Sequence, residues 1–542
     1  MNFDEFADRV ESIEEMTGDH EITDEVASLL SEADSDLGIA ARFVQGRIFP
    51  AWDERKLEIG PSLLYDALSL ASGASSEEVE ELVKETGDVG EAAESLDLSG
   101  QQTLTGNDLT LEYLYGSLEE LAETSGEGSQ ENKVRSLADL FMDCDPLSSR
   151  YLARLVLGEM RVGVGEGTVR DAVTEAFDVN GELVERGIMV TNDVGEVAAV
   201  ARDEGDEGLD GLEMVVGRPV KPMLAQTGDA ETALEETSDG GESVAEWKYD
   251  GARLQIHVGD DGVTLYSRNL ENLTSSLPDV VEIVKDDVSE SRLILDAEVV
   301  ATEDGDPLAF QEVLRRLRRK YRIDEMRDEV ELELHVFDLL YRDAELIDLP
   351  LRERYEHLED VVDETRSKHR FVSTPDEVRE TEHRALEEGH EGLMVKNPGS
   401  TYSPGSRGKN WLKIKPEPET LDLVVTGGEW GEGRRANLVG SYLLAARDED
   451  GFRTVGKVAT GLTDERLEEL TERFDPLIES EDGKEIEFKP EVVFEVGYEE
   501  IQESPEYTSG YALRFPRFLG VRDDKDVEDA DTVDRIERIH SG

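Results

Sequence analysis

The spacing of the apolar residues changes twice along this 542-residue chain, and this limits it to a multidomain fold that mixes α and β structure. Up to about residue 210 the apolar residues recur at helical intervals, as in 62–68, 113–121 and 151–157. From Arg218 onward, short strand-like runs such as 292–300 and 334–340 alternate with helical stretches. The final part is dominated by strand-like runs, including 421–425, 440–444 and 492–496.

A chain of this length should hold about three domains. We predict a helical domain at residues 1–215, an α+β domain at 216–417 and a β-rich domain, most simply a small barrel, at 418–542. The acid- and glycine-rich run 203–210 is interpreted as the linker between the first two domains.

The net charge of −73 predicts a folded protein with a carboxylate-coated surface rather than a disordered chain. Strongly acidic chains are often disordered, but periodic apolar residues run through nearly the whole length here. Only 16 of the 56 basic residues are lysine, which favours a halophilic source. Because the Debye length is about 3 Å at 1 M salt, self-repulsion is screened there. In dilute buffer we expect unfolding.

Several protein classes are excluded by what the sequence lacks. No run of 18 or more apolar residues occurs, so no membrane span is expected. The acidic N-terminus has no signal-peptide pattern, which predicts a cytoplasmic protein. The single cysteine, Cys144, excludes an internal disulfide and a cysteine-rich zinc module; we expect it to be a small buried hydrophobe.

The segment 246–253 places Lys248 in a Lys-x-Asp-Gly pattern just before alternating strand residues Leu254, Ile256 and Val258. A lysine amine can attack the α-phosphate of a nucleotide and hold the nucleoside monophosphate as a phosphoramide. Such an amine must be unprotonated, so neighbouring cations or desolvation must lower its pKa. The pattern alone is weak evidence, but with its context it predicts a covalent nucleotidyl transferase.

Four lysines of this lysine-poor chain fall within twenty residues, at Lys396, Lys409, Lys413 and Lys415. The alternation of 411–415 predicts that Lys413 and Lys415 share one face of a strand, which suits a phosphate-bearing substrate. The preceding stretch 402–409 is interpreted as a loop that places Arg407 near the phosphates. The alternative is a solvated basic face.

Two acids and one aromatic complete the candidate nucleotide site. Glu391 begins the strand-like run that ends at Lys396, and Glu298 lies in another such run. Both are candidate ligands for Mg²⁺, which would neutralise the charge of a triphosphate; the alternative for each is a solvated surface acid. Phe337 lies in an apolar strand and is either a core residue or a platform for a base.

Two basic clusters remain. Segment 514–518, with Arg514 and Arg517, combines with Arg522 into a basic and aromatic group suited to a pyrophosphate or a nucleic-acid backbone. The densest basic run is either a DNA-facing helix or an exposed helix paired with nearby acids. Its members are Arg315, Arg316, Arg318, Arg319, Lys320 and Arg322.

Taken together, these segments closely resemble the ATP-dependent DNA ligases of the archaeal and eukaryotic replicative type, over almost the whole chain. The resemblance implies a helical DNA-binding domain, an adenylation (nucleotidyltransferase) domain and a C-terminal OB-fold β-barrel. Segment 151–167 is similar to the helical domain of that family. The motifs that match in order are 246–253, 266–269, 296–298, 337–338, 391–396, 411–415, 514–518 and 521–525.

The resemblance also implies an activity: ATP-dependent sealing of nicks in duplex DNA through a lysyl-AMP and a DNA-adenylate, with Mg²⁺, in replication, recombination, repair and cell division. Lys248 would carry the AMP, Glu246 would read the adenine edge and Phe337 would stack on its ring. A monomer is expected. Glu298 and Glu391 would bind the metal. Arg514, Arg517 and Arg522 would act in the first step, the formation of the lysyl-AMP. The remaining nucleotide contacts would come from Arg253, Arg268, Glu298, Lys396, Arg407, Lys413 and Lys415.

A fainter resemblance concerns residues 101–105, where archaeal relatives carry a peptide that binds the sliding clamp. Gln101 and Leu104 match, but the aromatic residues typical of the family pattern are missing. The alternative is an ordinary polar turn.

Three rival functions were weighed. An NAD-dependent DNA ligase would need a four-cysteine zinc module that one cysteine cannot supply. An RNA-capping guanylyltransferase shares the catalytic core but has no need of a 210-residue helical domain. A DNA-repair scaffold with a decayed active site is disfavoured by the intact lysine and its partners.

Overall fold

The computed structural model describes residues 1–98, 109–126, 128–303, 305–317, 327, 329–415, 419–431, 437–448 and 451–540. The chain divides into two compact units, Met1–Ile414 and Lys415–Gly542. The domain boundaries proposed from the sequence at 215 and 417 stay predictions. Within the described residues, no helix combines the length and the apolar character needed to cross a membrane.

The first part of the first unit is helical, as predicted. Its apolar residues form one continuous core that includes Phe3, Phe6 and Phe43. The helix ends carry sequence signals: Asp145 caps α9 by accepting from the Ser148 N–H at 2.7 Å, and Gly158 ends it in the left-handed region at φ 71°. The helices are α1 (Phe3–Glu14), α2 (Asp19–Glu32), α3 (Leu37–Phe43), α4 (Pro61–Ser72), α5 (Ser76–Thr86), α6 (Val89–Ser95), α7 (Leu111–Glu123), α8 (Ser129–Met142), α9 (Pro146–Leu157), α10 (Glu166–Phe177), α11 (Gly181–Thr191) and α12 (Val194–Asp210).

The predicted linker at 203–210 is wrong, because these residues form the last part of α12. Gly205, at φ 63° and ψ −150°, kinks the helix without ending it. Leu209 is fully buried and anchors the segment beyond the kink. The acids and glycines that suggested a linker lie on the outer side of a helix that the core holds in place.

The segment that follows α12 is bonded to the strand β3 (Ala252–Gly259) instead of hanging free. The Gly217 N–H donates to Nδ1 of His257 at 2.8 Å, and the Val220 N–H donates to Oε1 of Gln255 at 2.9 Å. Nε2 of His257 lies 2.9 Å from the same Gln255 oxygen. Because Nδ1 accepts, Nε2 carries the proton, and the buried ring must be neutral. Burial lowers the pKa of His257 to about 3.

The second part of the first unit is an α+β region with two five-stranded sheets, which confirms the predicted class. The Lys248 sheet, named for the last residue of its strand β2, has the order β1-β10-β9-β2-β8. The acid sheet, named for Asp296 and Glu298 on its strand β5, has the order β4-β3-β5-β6 with β7 paired to β5. Strand β10 begins at Arg407, so the loop predicted at 402–409 is wrong over its last three residues. The strands are β1 (Leu224–Thr227), β2 (Ser243–Lys248), β3, β4 (Gly262–Ser267), β5 (Leu293–Glu303), β6 (Asp306–Pro307), β7 (Glu331–Arg342), β8 (His369–Val372), β9 (Gly392–Lys396) and β10 (Arg407–Ile414), with helices α13 (Ala230–Thr237), α14 (Pro278–Asp287), α15 (Phe310–Leu317), α16 (Leu351–Val361) and α17 (Pro375–Glu387).

The second unit is β-rich, as predicted. Its long strand β11 pairs along one edge with β12 and along the other with β16 and then β15. Tyr442, Phe474, Phe488 and Phe494 pack edge to face or tilted in its core. The elements are β11 (Glu419–Trp430), β12 (Val439–Asp448), β13 (Gly451–Val458), β14 (Ile478–Asp482), β15 (Glu485–Phe488), β16 (Val493–Tyr498), β17 (Glu500–Glu503), β18 (Tyr511–Arg514), β19 (Arg517–Val521), α18 (Asp464–Phe474) and α19 (Val533–His540).

Candidate active site

Lys248 is the last residue of β2, directly opposite Gly392 at the start of β9. The Glu391 N–H donates to the Lys248 carbonyl at 2.9 Å, and the Glu391 carboxylate contacts the Lys248 amine. Their side chains are 22% and 21% exposed, so the pair is fixed by the sheet yet open to a ligand. The sequence prediction of a strand that begins after Glu391 and ends at Lys396 is confirmed. The contact of Glu391 with Lys248 was not part of that prediction.

Gly251, the glycine of the Lys-x-Asp-Gly pattern, lies where the packing leaves no space for a side chain. A Cβ at Gly251 would lie 2.3 Å from the Val299 carbonyl oxygen of β5. Any side chain there would push the chain away from the acid sheet. Gly251 therefore lets the chain pass from Lys248 in one sheet to β3 in the other within a few residues.

Glu246 lies two residues before Lys248, so both side chains point to the same face of β2. Lys396 contacts the two carboxylate oxygens of Glu246 at 2.9 and 3.0 Å, and the Tyr355 hydroxyl donates to Oε2 at 2.7 Å. Glu246 and Lys396 are 3% and 1% exposed. A buried ion pair of this kind is tolerated only when hydrogen bonds complete it, and Tyr355 supplies one.

Phe337 lies beside this ion pair. The Lys396 amine is 4.7 Å from the centre of the Phe337 ring and 4.3 Å from that of Trp411, within cation–π range. Arg253 lies 5.4 Å from the same Phe337 ring. Phe337 also belongs to an apolar core cluster, so the core interpretation describes its surroundings. Its stacking on a base stays a prediction.

Arg253 of β3 is held by a second buried network. Its Nε donates to Asp296 at 2.9 Å, and Nη2 donates to the Tyr402 hydroxyl at 3.1 Å. Tyr402 in turn donates to Asp296 at 2.7 Å, and Arg253 also donates to the Met223 carbonyl at 2.6 Å. Tyr402 and Tyr355 are site residues that the sequence analysis missed; neither lies in a stretch whose spacing marks it.

Glu298 faces this network from β5, where its cross-strand neighbours are Arg253 of β3 and His335 of β7. Burial raises the pKa of the Glu298 carboxyl to about 7; Lys248 and Arg253 oppose the shift, and Asp296 and Glu391 add to it. The carboxyl thus lies within the electrostatic reach of both the lysine and its acidic partner.

Glu298 and Glu391 are the carboxylates available for the predicted Mg²⁺ site. Among the residues that the structure describes, no group of three or more His, Cys, Asp or Glu side chains could hold a metal. Mg²⁺ is nevertheless commonly bound by one or two carboxylates together with water and substrate phosphates. Glu298 and Glu391 fit that kind of site and do not form a closed protein cage.

The remaining predicted phosphate ligands differ in exposure. Arg268 and Arg407 are exposed, and Lys413 is half-buried on β10 opposite Met394. Lys409 pairs with Glu236 at 2.6 Å. β10 ends at Ile414, so Lys415 does not continue the strand face of Lys413 as predicted. It begins the second unit, where its amine lies 3.2 Å from Glu499.

The predicted arginines of the second unit are largely paired within that unit. Arg514 contacts Glu500 at 3.3 Å. Arg522 contacts Asp422 at 3.0 Å and Asp524 at 2.8 Å. Arg517 is exposed at the start of β19.

Two residues of the basic run that begins at Arg315 are described by the structure, and they differ in exposure. Arg316 is 1% exposed, contacts both carboxylate oxygens of Asp279 at 2.7 and 2.8 Å and donates to the Val330 carbonyl at 2.9 Å. Both interpretations of Arg316, DNA-facing or exposed, are therefore wrong: it ties α15 to α14. Arg315 is exposed and pairs with Glu312. Arg318, Arg319, Lys320 and Arg322, like Gln101 and Leu104 of the clamp hypothesis, lie outside the described residues.

Cys144 is partly buried against the helical core. Burial, with Asp4, Asp145 and Asp143 adding to it, raises the pKa of its thiol well above the usual value. The thiol is therefore protonated and a poor nucleophile.

Comparisons with known proteins agree over the whole chain. The family model described as "ATP dependent DNA ligase domain" matches residues 222–415, "DNA ligase N terminus" matches 2–174 and "ATP dependent DNA ligase C terminal region" matches 435–525. The chain is 54% identical to the DNA ligase of Natronomonas pharaonis, over 100% of both proteins. It is 52% identical to that of Halobacterium salinarum over 99% of both, and 48% identical to that of Archaeoglobus fulgidus over 100% of this chain and 98% of the relative.

A solved structure named Pmar-Lig_PreS3 superposes with a TM-score of 0.59. It covers 95% of this chain and 99% of the solved chain at 16% sequence identity. At that identity the likeness concerns the fold alone.

Proposed function

The chain belongs to the ATP-dependent DNA ligase family, and from that premise we propose which of its residues perform the reaction. It is a ligase that seals nicks in DNA with ATP through an adenylate intermediate. The family membership favours this activity over the NAD-dependent, capping and scaffold alternatives.

Lys248 is the nucleophile of the first step. Its Nζ attacks the α-phosphorus of ATP; a nitrogen–phosphorus bond forms, and the bond to pyrophosphate breaks. The amine must first lose a proton, and the Glu391 carboxylate that contacts it can accept that proton. The observation that carries this assignment is the position of Lys248 at the end of β2, in contact with Glu391 and partly open to a ligand.

The nucleotide is held by the charged and aromatic side chains around Lys248. Glu246 recognises the adenine edge in an orientation set by Lys396 and Tyr355, and Phe337 stacks on the base. Arg253, fixed by Asp296 and Tyr402, contacts the ribose or the phosphates. The outer phosphate contacts come from Arg268, Arg407, Lys413 and Lys415.

Mg²⁺ would be held by Glu298 and Glu391 together with phosphate oxygens. When bound, the ion neutralises developing negative charge on the phosphates. Burial raises the pKa of the Glu298 carboxyl and the nearby Lys248 opposes that shift, so the ionisation of this carboxyl depends on the charges around it.

The later steps transfer the stored AMP. The 5′-phosphate of the nick attacks the phosphorus of the lysyl-AMP, which releases the Lys248 amine and leaves a DNA-adenylate. The 3′-hydroxyl then attacks the activated phosphate, forms the phosphodiester and releases AMP. Covalent storage divides one difficult condensation into easier transfers.

Arg514, Arg517 and Arg522 of the second unit serve the first step, as the family resemblance implies. Arg517 is exposed at the start of β19. It can bind a pyrophosphate without breaking the ion pairs that hold Arg514 and Arg522. Arg514 and Arg522 would each have to exchange a carboxylate partner for phosphate oxygens.

The cellular context is proposed on the same basis. The substrate is nicked duplex DNA, the protein acts as a monomer in the cytoplasm, and the reaction serves replication, recombination, repair and cell division. Clamp binding through Gln101 and Leu104 is retained as a hypothesis.

The test is incubation with α-labelled ATP and Mg²⁺ at molar KCl, followed by a denaturing gel. Wild type should take up label and release it as AMP when nicked DNA is added. Lys248→Ala should take up none, while Lys409→Ala, which removes an exposed lysine paired with Glu236, should behave as wild type. Label on Lys248→Ala, or label from GTP in preference to ATP, would contradict the proposal.

A further inference from the structure

Three aromatic rings lie together behind the nucleophile. The ring of Tyr249 stacks on the imidazole of His335 with centroids 3.8 Å apart and planes 7° apart. His390 meets the same tyrosine ring edge-on, at 4.9 Å and 71°. In this aromatic cluster (Tyr249, His335 and His390), Tyr249 is 4% exposed and the two histidines are partly buried.

Each ring belongs to a residue next to one of the polar site residues. Tyr249 follows Lys248, and His390 precedes Glu391, the acid that contacts the Lys248 amine. His335 lies directly opposite Glu298 in the pairing of β5 with β7. Lys248 ends a strand of the Lys248 sheet, Glu391 directly precedes another strand of it, and Glu298 belongs to the acid sheet. The aromatic cluster therefore joins the two sheets where these groups meet.

Both histidines contact the Tyr249 ring through their own rings. Nε2 of His335 also lies 3.8 Å from the Glu333 carboxylate, which is beyond hydrogen-bonding distance. Nε2 of His335 and Nδ1 of His390 are buried with no hydrogen-bond partner among the described residues. The Tyr249 hydroxyl accepts from the Lys368 N–H at 3.0 Å, which fixes the far end of the ring. Burial, assisted by His390 and Lys368, lowers the pKa of His335 to about 3, so the stacked imidazole is neutral.

We propose that the Tyr249, His335 and His390 cluster positions Lys248 relative to Glu298 and Glu391 for the formation of the lysyl-AMP. The proposal rests on the role given above to Lys248 as nucleophile. Nucleophilic attack requires reacting atoms about 3–3.5 Å apart in a fixed direction, and displacement by about 1 Å can cost about a hundredfold in rate. Without the stacking of Tyr249 on His335, the backbone after Lys248 would have fewer contacts with the acid sheet.

This role predicts an effect confined to the steps that use the lysine amine. When the nick already carries AMP, the attacking group is the 3′-hydroxyl of DNA, and Lys248 is not the nucleophile. A loss of positioning should therefore slow lysyl-AMP formation and spare the sealing of pre-adenylated nicks. A general loss of structure would slow both.

The experiment compares His335→Leu with His335→Phe. Leucine fills part of the space without a ring, whereas phenylalanine restores the stack and lacks both nitrogens. The matched control is His383→Leu, since His383 is an exposed histidine on α17. For each variant, the rate of lysyl-AMP formation is measured in single turnovers over a range of ATP concentrations at molar KCl, together with the sealing of pre-adenylated nicks.

We expect His335→Leu to lower the maximal adenylation rate about tenfold or more, with the half-saturating ATP concentration and the sealing rate within about threefold of wild type. His335→Phe should recover most of the adenylation rate. The proposal is overturned if the phenylalanine variant is as slow as the leucine variant, if both reactions fall together, or if neither falls.

Two further arms keep the result interpretable. If His335→Leu does not fold, His390→Leu at the edge of the cluster should give a smaller loss in the same direction, and an unchanged rate there overturns the proposal. Label on Lys248→Ala would instead remove the nucleophile assignment itself, so the two failures are distinguishable.

Discussion

The proposed nucleotide site of the first unit and the arginine cluster of the second (Arg514, Arg517 and Arg522) differ in how far their charges are buried. In the first unit the supporting ion pairs are buried: Glu246 and Lys396 are 3% and 1% exposed, and Asp338 on β7 and Arg354 on α16 are both 0% exposed. The Lys248–Glu391 pair is partly open by comparison, at 22% and 21%. In the second unit, Arg522 and its partner Asp524 are 26% and 66% exposed. The buried ion pairs of the first unit are fixed by the packed elements around them. The exposed arginines of the second unit can exchange their carboxylate partners for solvent ions or a substrate.

This difference matters for a chain with a net charge of −73. Salt screens charges in water far more than it screens buried pairs. We therefore expect the geometry of the nucleotide site to vary little with salt, and both the global fold and the surface arginines to vary strongly.

The largest effect should come from removing salt. Transfer from molar KCl to about 10 mM salt extends the Debye length to about 30 Å, so the repulsion among surface carboxylates grows and should exceed a typical folding stability of about 5–15 kcal/mol. Circular dichroism during dialysis, with salt restored afterwards, measures the transition. Retention of the native spectrum in dilute buffer would show that the surface charge does not control folding.

The next effect should come from breaking the buried pair. Lys396→Met leaves Glu246 with the Tyr355 hydroxyl as its remaining polar contact described above and should lower the free energy of unfolding by about 3–5 kcal/mol. Denaturant unfolding at two molar salt concentrations gives this loss, which should be the same at both. Glu246→Gln combined with Lys396→Met should recover part of it; a loss that disappears at the higher salt concentration would mean that the pair is screened.

Acidification should destabilise the first unit through His257. The folded-state pKa of about 3 lies below the unfolded value near 6.5, so the stability that depends on the neutral ring is fully present above pH 6.5. It is lost as the pH falls toward 3, by about 1.4 kcal/mol for each pH unit. A proton on Nδ1 of His257 would break the hydrogen bond that this atom accepts from the Gly217 N–H.

The measurement is the pH dependence of unfolding for wild type, His257→Gln and the exposed-histidine variant His383→Leu. His257→Gln should show a shallower slope between about pH 6.5 and 4.5, and His383→Leu should keep the slope of wild type. Equal slopes in wild type and His257→Gln would refute the assignment.

The smallest effect on stability should come from the second unit. Arg514→Ala removes a partly exposed contact with Glu500, which is worth about 1 kcal/mol or less. Its unfolding free energy at molar KCl should stay close to that of wild type, while lysyl-AMP formation slows. If stability falls as far as in Lys396→Met, the contrast between the two regions is wrong.

The sequence predicted those features that are encoded locally. The strands that carry Lys396 and Lys413, the helical first part and the β-rich last part could be predicted because their apolar residues recur with the spacing of the element. The hydroxyls of Tyr355 and Tyr402 reach Glu246 and Asp296 across more than a hundred residues. No local pattern marks such partners.

The errors have the same origin. Arg316 belongs to a basic run, yet it is buried because Asp279, which lies 37 residues earlier, meets it. Run 203–210 has the composition of a linker, yet the buried Leu209 keeps it helical. In both cases a tertiary contact outweighs the local composition.

If Lys248 carries the nucleotide, the AMP adduct can be mapped to it. The protein is incubated with ATP and Mg²⁺ at molar KCl, digested, and analysed by tandem mass spectrometry under conditions that preserve phosphoramides. We predict AMP on the peptide that contains Lys248, bonded to that lysine, and its disappearance after addition of nicked DNA. AMP on another residue, or an adduct that nicked DNA leaves in place, would contradict the account.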